Sequence, residues 1–261
     1  MPAVCHCTMM VSMLLLKDIT KVYPGGVGAL GGISLFVEEG EFVCLLGPSG
    51  CGKSTLLHIV AGLETADAGE VSVRGEQVAG PHRSAGVIFQ DYALFPWLSV
   101  GKNVSFGPSV RGMKKEQYKK DVEDWISLVG LEAFVDKYPG QLSGGMKQRA
   151  AIARALANDP DLLLMDEPLA ALDEQLRESL QLEVLRIWTQ TQKTVLYVTH
   201  SVLEAVFLAS RVVVLGKRPG KVLAELPIDL PRPRTQQMRV SSHFHELEAQ
   251  VRSIMVEAAD A

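Results

Sequence analysis

The stretch Gly47-Pro48-Ser49-Gly50-Cys51-Gly52-Lys53-Ser54 constrains this chain more than any other, because it matches the pattern G-x-x-x-x-G-K-[ST]. The apolar run Phe42-Val43-Cys44-Leu45-Leu46 precedes it, as a strand buried on both faces would. An apolar-periodic segment, Thr55 to Ala61, follows it. Strand, glycine-rich turn and helix in that order form the setting in which this pattern binds phosphate. Glycines let successive backbone N–H groups turn toward one centre and make an anion nest. The helix starting near Ser54 adds the positive end of its dipole. Gly47, Pro48, Ser49, Gly50, Cys51 and Gly52 are then the cradle, with Thr55 beside it. Lys53 is expected to reach the β- and γ-phosphates of a bound nucleotide, and the Ser54 hydroxyl to ligate Mg²⁺. Cys51 reads as a loop thiol open to alkylation, not as a nucleophile, since no base is paired with it in sequence.

The remaining pattern supplies a sheet to carry that loop. Short β-rich runs cover Leu14 to Tyr23, Ile33 to Glu38 and Val71 to Arg74. Runs of the fully buried kind recur at Leu162 to Met165, Val195 to Val198 and Val212 to Leu215. Helical patterns at Met146 to Ala157, Glu174 to Trp188 and Val202 to Ala209 separate them. Buried strands alternating with helices predict a parallel sheet with helices on both faces. The segment from about Phe95 to Asn158 is mostly helical and reads as a subdomain inserted into that core, its lysines between Arg111 and Glu123 being a solvated face. After Pro227, Pro231-Arg232-Pro233-Arg234 reads as an extended connector. Phe244, Leu247, Val251 and Ile254 then recur at the spacing of a terminal helix docked on the core.

Composition excludes several alternatives. With 261 residues, 47% hydrophobic and 21% charged, the chain suits one or two globular domains, not a collagen, a disordered tail or a disulfide scaffold. A net charge of −4 speaks against a nucleic-acid partner. No apolar run approaches the roughly 20 residues that cross a bilayer. Val11 to Leu16 is too short, Lys17 and Asp18 follow it, and no Lys or Arg precedes it as a signal peptide requires. The expectation is a cytosolic chain. Cys5, Cys7, Cys44 and Cys51 are too few and too clustered for a disulfide framework. Cys5-His6-Cys7 lacks a second ligand pair, so residues 1–12 read as a disordered extension, with Met13 an alternative start.

Two further segments carry chemistry. Leu162-Leu163-Leu164-Met165-Asp166-Glu167 is an apolar strand ending in two acids, and ligands of open parallel sheets bind at the carboxyl ends of strands. Asp166 is assigned to Mg²⁺ through water, and Glu167 to orienting or deprotonating the attacking water. These features alone leave a small kinase, a GTPase or a recombinase-like motor open. Leu142-Ser143-Gly144-Gly145-Met146-Lys147-Gln148-Arg149 reads as a second helix N-terminus with a hydroxyl cap. One nucleotide has one γ-phosphate, so a second anion site suggests service to another subunit's nucleotide.

With those residues in view, the sequence from about Leu14 to Arg234 resembles the ATPase subunit of ATP-binding cassette (ABC) transporters. The resemblance implies an α/β fold: a P-loop NTPase (RecA-like) core with an antiparallel β subdomain and an inserted α-helical subdomain. It implies an ABC ATPase domain over residues 13–234, a helical subdomain at about 95–158 and a helical tail at 235–261. Leu142 to Met146 matches the family signature, so Ser143, Gly144 and Gly145 would close over ATP held by a second copy. Tyr23 stands where the family stacks an aromatic on adenine, Gln90 where a glutamine senses Mg²⁺ and water. Asp173, in Ala171-Leu172-Asp173, matches a loop crossing the dimer interface, and His200 the switch histidine on the γ-phosphate. Ala93 to Val100 with Asn103-Val104, Gln141 to Gln148 and Leu230 to Arg234 are similar to importer ATPases of the nitrate, sulfonate and taurine group. Phe95, Pro96 and Trp97 would then meet a helix of the membrane-spanning permease, which a solute-binding protein serves in turn. The implied location is peripheral, on the cytoplasmic face of the cell membrane. An exporter or lipid-transport ATPase would share every catalytic motif. A translation or DNA-repair ABC protein would need more than one cassette's length. Two positions depart from the family: Ala170, where relatives often carry Ser or Gly, and Ser201, where Asp usually follows the histidine.

Overall fold

The computed structural model describes residues 12–170 and 172–260. Cys5, His6 and Cys7, the proposed N-terminal extension apart from Ser12, and Ala171 lie outside the described residues. In chain order the elements are β1 (Ser12–Tyr23), β2 (Val27–Glu38), β3 (Phe42–Leu46), α1 (Lys53–Val60), β4 (Ala68–Val73), β5 (Glu76–Gln77) and β6 (Ala85–Ile88). There follow α2 (Val100–Val104), α3 (Phe106–Val110), α4 (Lys115–Leu128), α5 (Gly144–Leu156), β7 (Leu162–Asp166) and α6 (Glu174–Thr191). The chain continues through β8 (Thr194–Thr199), α7 (Val202–Leu208), β9 (Arg211–Leu215), β10 (Val222–Pro227) and α8 (Ser242–Asp260).

The buried runs form a six-stranded sheet of order β10-β9-β3-β8-β7-β6, parallel except for β10. A second, antiparallel sheet has the order β2-β1-β4-β5. Side chains alternate across each strand, so every buried strand feeds two cores. Phe42, Cys44, Leu46, Met165 and Tyr197 pack with α5, α7 and α8. Val43, Leu45, Leu164, Leu196 and Val198 pack with α1 and with Leu14, Leu16 and Ile19 of the antiparallel sheet. Helices lie on both faces, as expected, but unequally: α5, α7 and α8 cover one face, and α1 shares the other with the small antiparallel sheet.

Strand order positions the site. β3, β8 and β7 are parallel neighbours, with Leu46 opposite Thr199 and Asp166 opposite Val198. The loop after β3, the acids ending β7 and the histidine after β8 therefore emerge side by side at the carboxyl edge.

Helices α2 to α5 fall between β6 and β7. The lysines of α4 are exposed, and Val122 and Ile126 turn inward. Asn103 is fully buried, and its amide holds the preceding loop by bonding the carbonyls of Phe95 (3.1 Å), Leu98 (2.9 Å) and Ser99 (3.1 Å). At the other end of the chain Phe244, Leu247 and Val251 of α8 are buried and Ile254 partly so. The residues before α8 are more than a connector, because the Arg234 side chain is buried against α7.

Candidate functional site

The glycine-rich loop joins β3 to α1, and Gly52 is the residue before the helix, at φ 99°. A Cβ there would lie 2.6 Å from the Ala29 carbonyl, so backbone conformation and backbone contact both require glycine. Lys53 is buried, and its ammonium donates to the carbonyls of Gly47 (2.8 Å) and Pro48 (3.1 Å). The expected exposure of Cys51 is corrected: it is 1% exposed, packed against Gly47, and burial pushes its thiol above the ordinary range. Alkylation at this position is disfavoured by both effects.

Ser54 Oγ donates to Asp166 Oδ1 at 2.9 Å. Burial raises the Asp166 carboxyl pKa; the Ser54 hydrogen bond and the imidazole of His58, 4.0 Å away, pull it the other way. Among the described residues no group of three or more His, Cys, Asp or Glu side chains surrounds a common metal point. The Ser54–Asp166 oxygen pair nonetheless fits Mg²⁺, a hard cation that takes few protein oxygens and completes its shell with water and phosphate.

Glu167 sits at φ 42°, a left-handed backbone that is uncommon for a residue with a Cβ and often found at functional positions. Its N–H donates to the Val198 carbonyl at 3.1 Å, which fixes the turn. Its carboxylate meets His200 Nδ1 at 3.0 Å. A carboxylate only accepts, so Nδ1 carries the proton in this pair and Nε2 faces away from it. Ser201 is the cap of α7, accepting from Glu204 N at 3.3 Å. A serine therefore supplies the cap that an aspartate would provide after the histidine.

A cleft of about 220 Å³ gathers Tyr23, Ser49, Gly50, Lys53, Ser54, Thr55 and Glu167. Tyr23 Oη and Thr55 Oγ1 are 3.2 Å apart, and the Lys21 ammonium lies 5.6 Å from the Tyr23 ring centre. Sequence reasoning missed Arg218, which lines the same cleft and donates from Nε to the Gly50 carbonyl at 2.6 Å. Its signal lay in Gly220 two residues on, whose missing Cβ leaves room for the Cys51 carbonyl.

Other expected residues stand elsewhere. Gln90 is exposed, two residues past β6, with no side-chain hydrogen bond to the cluster among the described residues. Ser143 caps α5, accepting from Met146 N at 3.3 Å, and is exposed outside the cleft. Gly144 and Gly145 pack on α6 and the turn before it: a Cβ would meet Leu172 at 2.9 Å and Leu176 at 3.0 Å, respectively. Asp173 caps α6 through Leu176 N at 3.0 Å, a structural use of its carboxylate. A larger groove of about 610 Å³ runs between β6 and the helices, lined by Phe89, Ala93, Phe95, Phe106, Arg111 and Arg154 among others. Beside it Phe95 packs on Phe106 and Trp97, with ring centres 4.3 and 5.7 Å away, and Trp97 is 71% exposed.

Comparison with known proteins bears on this arrangement. A family model described as ABC transporter matches residues 30–170. An uncharacterized ABC transporter ATP-binding protein of Methanocaldococcus jannaschii is 50% identical over 93% of this chain and 91% of its own length. The nitrate import ATP-binding protein NrtD of Synechocystis sp. is 43% identical over 93% of this chain and 94% of its own. The taurine import ATP-binding protein TauB of Ruegeria pomeroyi is 49% identical over 82% of each. Among solved structures, a dimeric ATP-binding cassette in a post-hydrolysis state with ADP and Pi is 34% identical, with a TM-score of 0.73 over 84% of this chain and all of that one.

Proposed function

The chain belongs to the ABC transporter family as an ATP-hydrolysing subunit, and on that premise we propose that it powers uptake of a small anionic or sulfur- or nitrogen-containing solute through a separate permease. Uptake is supported by the likeness to nitrate and taurine import ATP-binding proteins. It is also supported by the exposed Trp97 and half-buried Phe95 beside an open groove, aromatic anchors of the kind that dominate interfaces. The permease helix is proposed to sit there. No helix among the described residues is long and apolar enough to cross a membrane, so the membrane path belongs to the partner in this proposal. A solute-binding protein feeds that path, and this subunit sits peripherally on the cytoplasmic face.

The observation that carries the mechanism is the separation of Ser143 from the cleft that holds Lys53. We assign Gly47 to Ser54 and Thr55 to the phosphates, Tyr23 to the adenine, and Ser54, Asp166 and Gln90 to Mg²⁺. Mg²⁺ neutralises charge on the β- and γ-oxygens when bound. Lys53 exchanges its loop carbonyls for phosphate oxygens. Glu167 orients the attacking water and accepts its proton, and His200, held by Glu167, faces the γ-phosphate. Ser143, Gly144, Gly145 and Asp173 act across the dimer on the partner's nucleotide. Closure around two ATP molecules moves the helical subdomains, and through the groove the permease. Hydrolysis removes the γ-phosphate that joins the halves, and they separate.

Deleting the protein and measuring uptake of taurine, alkanesulfonates, nitrate and thiamine-like pyrimidines tests the uptake reading. Loss of one uptake, restored by the wild type and not by Glu167→Gln, is expected. Intact uptake of all four, with accumulation of a solute or lipid inside the cell, would reverse the direction of transport.

A further inference from the structure

Helix α7 begins two residues after His200, and the segment following β10 grips it at both ends. At its carboxyl end the buried Arg234 guanidinium donates to the carbonyls of Val206 (2.9 Å), Phe207 (2.7 Å) and Ala209 (2.7 Å). These are carbonyls that a helix end leaves without intrahelical partners. Arg232 donates to the Leu208 carbonyl at 3.0 Å and stacks 4.1 Å from the Trp188 ring centre.

The amino end is reached from the same segment by a chain of hydrogen bonds. Arg239 packs on Phe207, 3.8 Å from its ring centre, and donates to Gln181 Oε1. Gln181, 3% exposed, donates to Glu204 Oε1 at 3.2 Å. Glu204, 5% exposed, accepts from Thr199 Oγ1 on its other oxygen. Thr199 Oγ1 in turn accepts from Ser201 N at 3.0 Å. Thr199 and Ser201 flank His200, whose Nδ1 is on Glu167. Each buried polar member has a partner on a different element, and leaving any of them unpaired is costly, so the chain favours one arrangement.

We propose that Arg239 is a positioning residue which, through Gln181, Glu204 and Thr199, sets the backbone around His200 so that its imidazole stays on Glu167. The C-terminal segment thereby governs the hydrolytic step without touching nucleotide. This rests on the roles given above to His200 and Glu167.

The test uses the full chain with Arg239→Ala, Arg239→Lys and Glu204→Gln. Histidine-selective NMR is read together with steady-state ATPase kinetics, the His200 resonance being identified by its loss in His200→Ala. In Arg239→Ala the His200 resonance is expected to move while His58 and His82 stay in place, and kcat to fall about 3- to 10-fold with KM for ATP nearly unchanged. Arg239→Lys, which keeps a donor, restores both. Should Arg239→Ala fail to fold, Glu204→Gln is expected to give the same two changes. An unmoved His200 resonance, a loss seen only in KM, or a loss that lysine does not restore would overturn the proposal. If the resonance moves while neither Arg239→Ala nor His200→Ala alters kcat, the positioning stands and the catalytic role of His200 falls.

Discussion

Helices α1 and α5 both carry glycine at their amino ends and a positive dipole end there, yet they are built in opposite ways. At α1 the residue before the helix is Gly52, with no side-chain cap; Lys53 is buried, and Ser54 is tied to Asp166 at the floor of a cleft. At α5 the cap is Ser143 in extended conformation, its hydroxyl engaged by Met146 N and its surroundings open. The first end has a lysine, an acid and walls supplied by its own chain; the second has only a helix terminus and a hydroxyl. The same physical device lies in a walled cleft in one place and stands open in the other, and in the function proposed above a second chain completes the open end.

Substitutions can pull the two ends apart. The largest effect is expected for Lys53→Ala: ATPase lost by about 10²-fold or more, with nucleotide binding to the single chain weakened in a fluorescent-nucleotide titration. Ser143→Arg should leave that titration within about twofold of wild type while turnover falls about tenfold or more. If instead it weakens binding to the monomer, the two ends are not separate. The glycines differ in the same sense. Gly52→Ala drives a Cβ into the Ala29 carbonyl from a left-handed backbone, and should lower stability by about 2 kcal/mol or more. Gly145→Ala meets the end of one flexible side chain, Leu176, and no backbone, so about 1 kcal/mol or less is expected by thermal melting.

The smallest effect has the opposite sign. Burial raises the Asp166 carboxyl pKa above that of the unfolded chain. The folded state thus holds that proton more tightly, and stability falls as pH rises through the window between the two values and stays lower above it. Asp166→Asn keeps an acceptor for Ser54 and removes the buried charge. A melting point a few degrees higher at pH 7 without Mg²⁺ or nucleotide is expected, together with loss of ATPase. A lower melting point would show that the carboxylate stabilises the fold.

What the sequence disclosed follows the same division. The loop from Gly47 to Ser54 and the Asp166-Glu167 strand end are local patterns, and each lies where the fold needs it. The buried strands and helices were legible because a two-sided burial leaves a continuous apolar run. β10 was not, since alternate residues of an antiparallel edge strand are exposed, and β6 is four residues long with Gly86 inside it. Arg218 and the Arg239–Gln181–Glu204 chain were invisible for a different reason. Their partners are 168, 58 and 23 residues away, and no spacing rule spans such distances. Asp173 shows a use that the family pattern does not disclose: the pattern points to an interface, and one oxygen of its carboxylate in this chain also caps α6.

The central claim is that a working site takes Lys53 from one chain and Ser143 from another, and light scattering on purified Glu167→Gln with saturating ATP tests it most directly. A stable dimer that dissolves when Ser143→Arg is added, with ATP still bound to the separated chains, is the expected result. A Glu167→Gln protein that stays monomeric with ATP, or a double variant that dimerises as well as the single one, would contradict it.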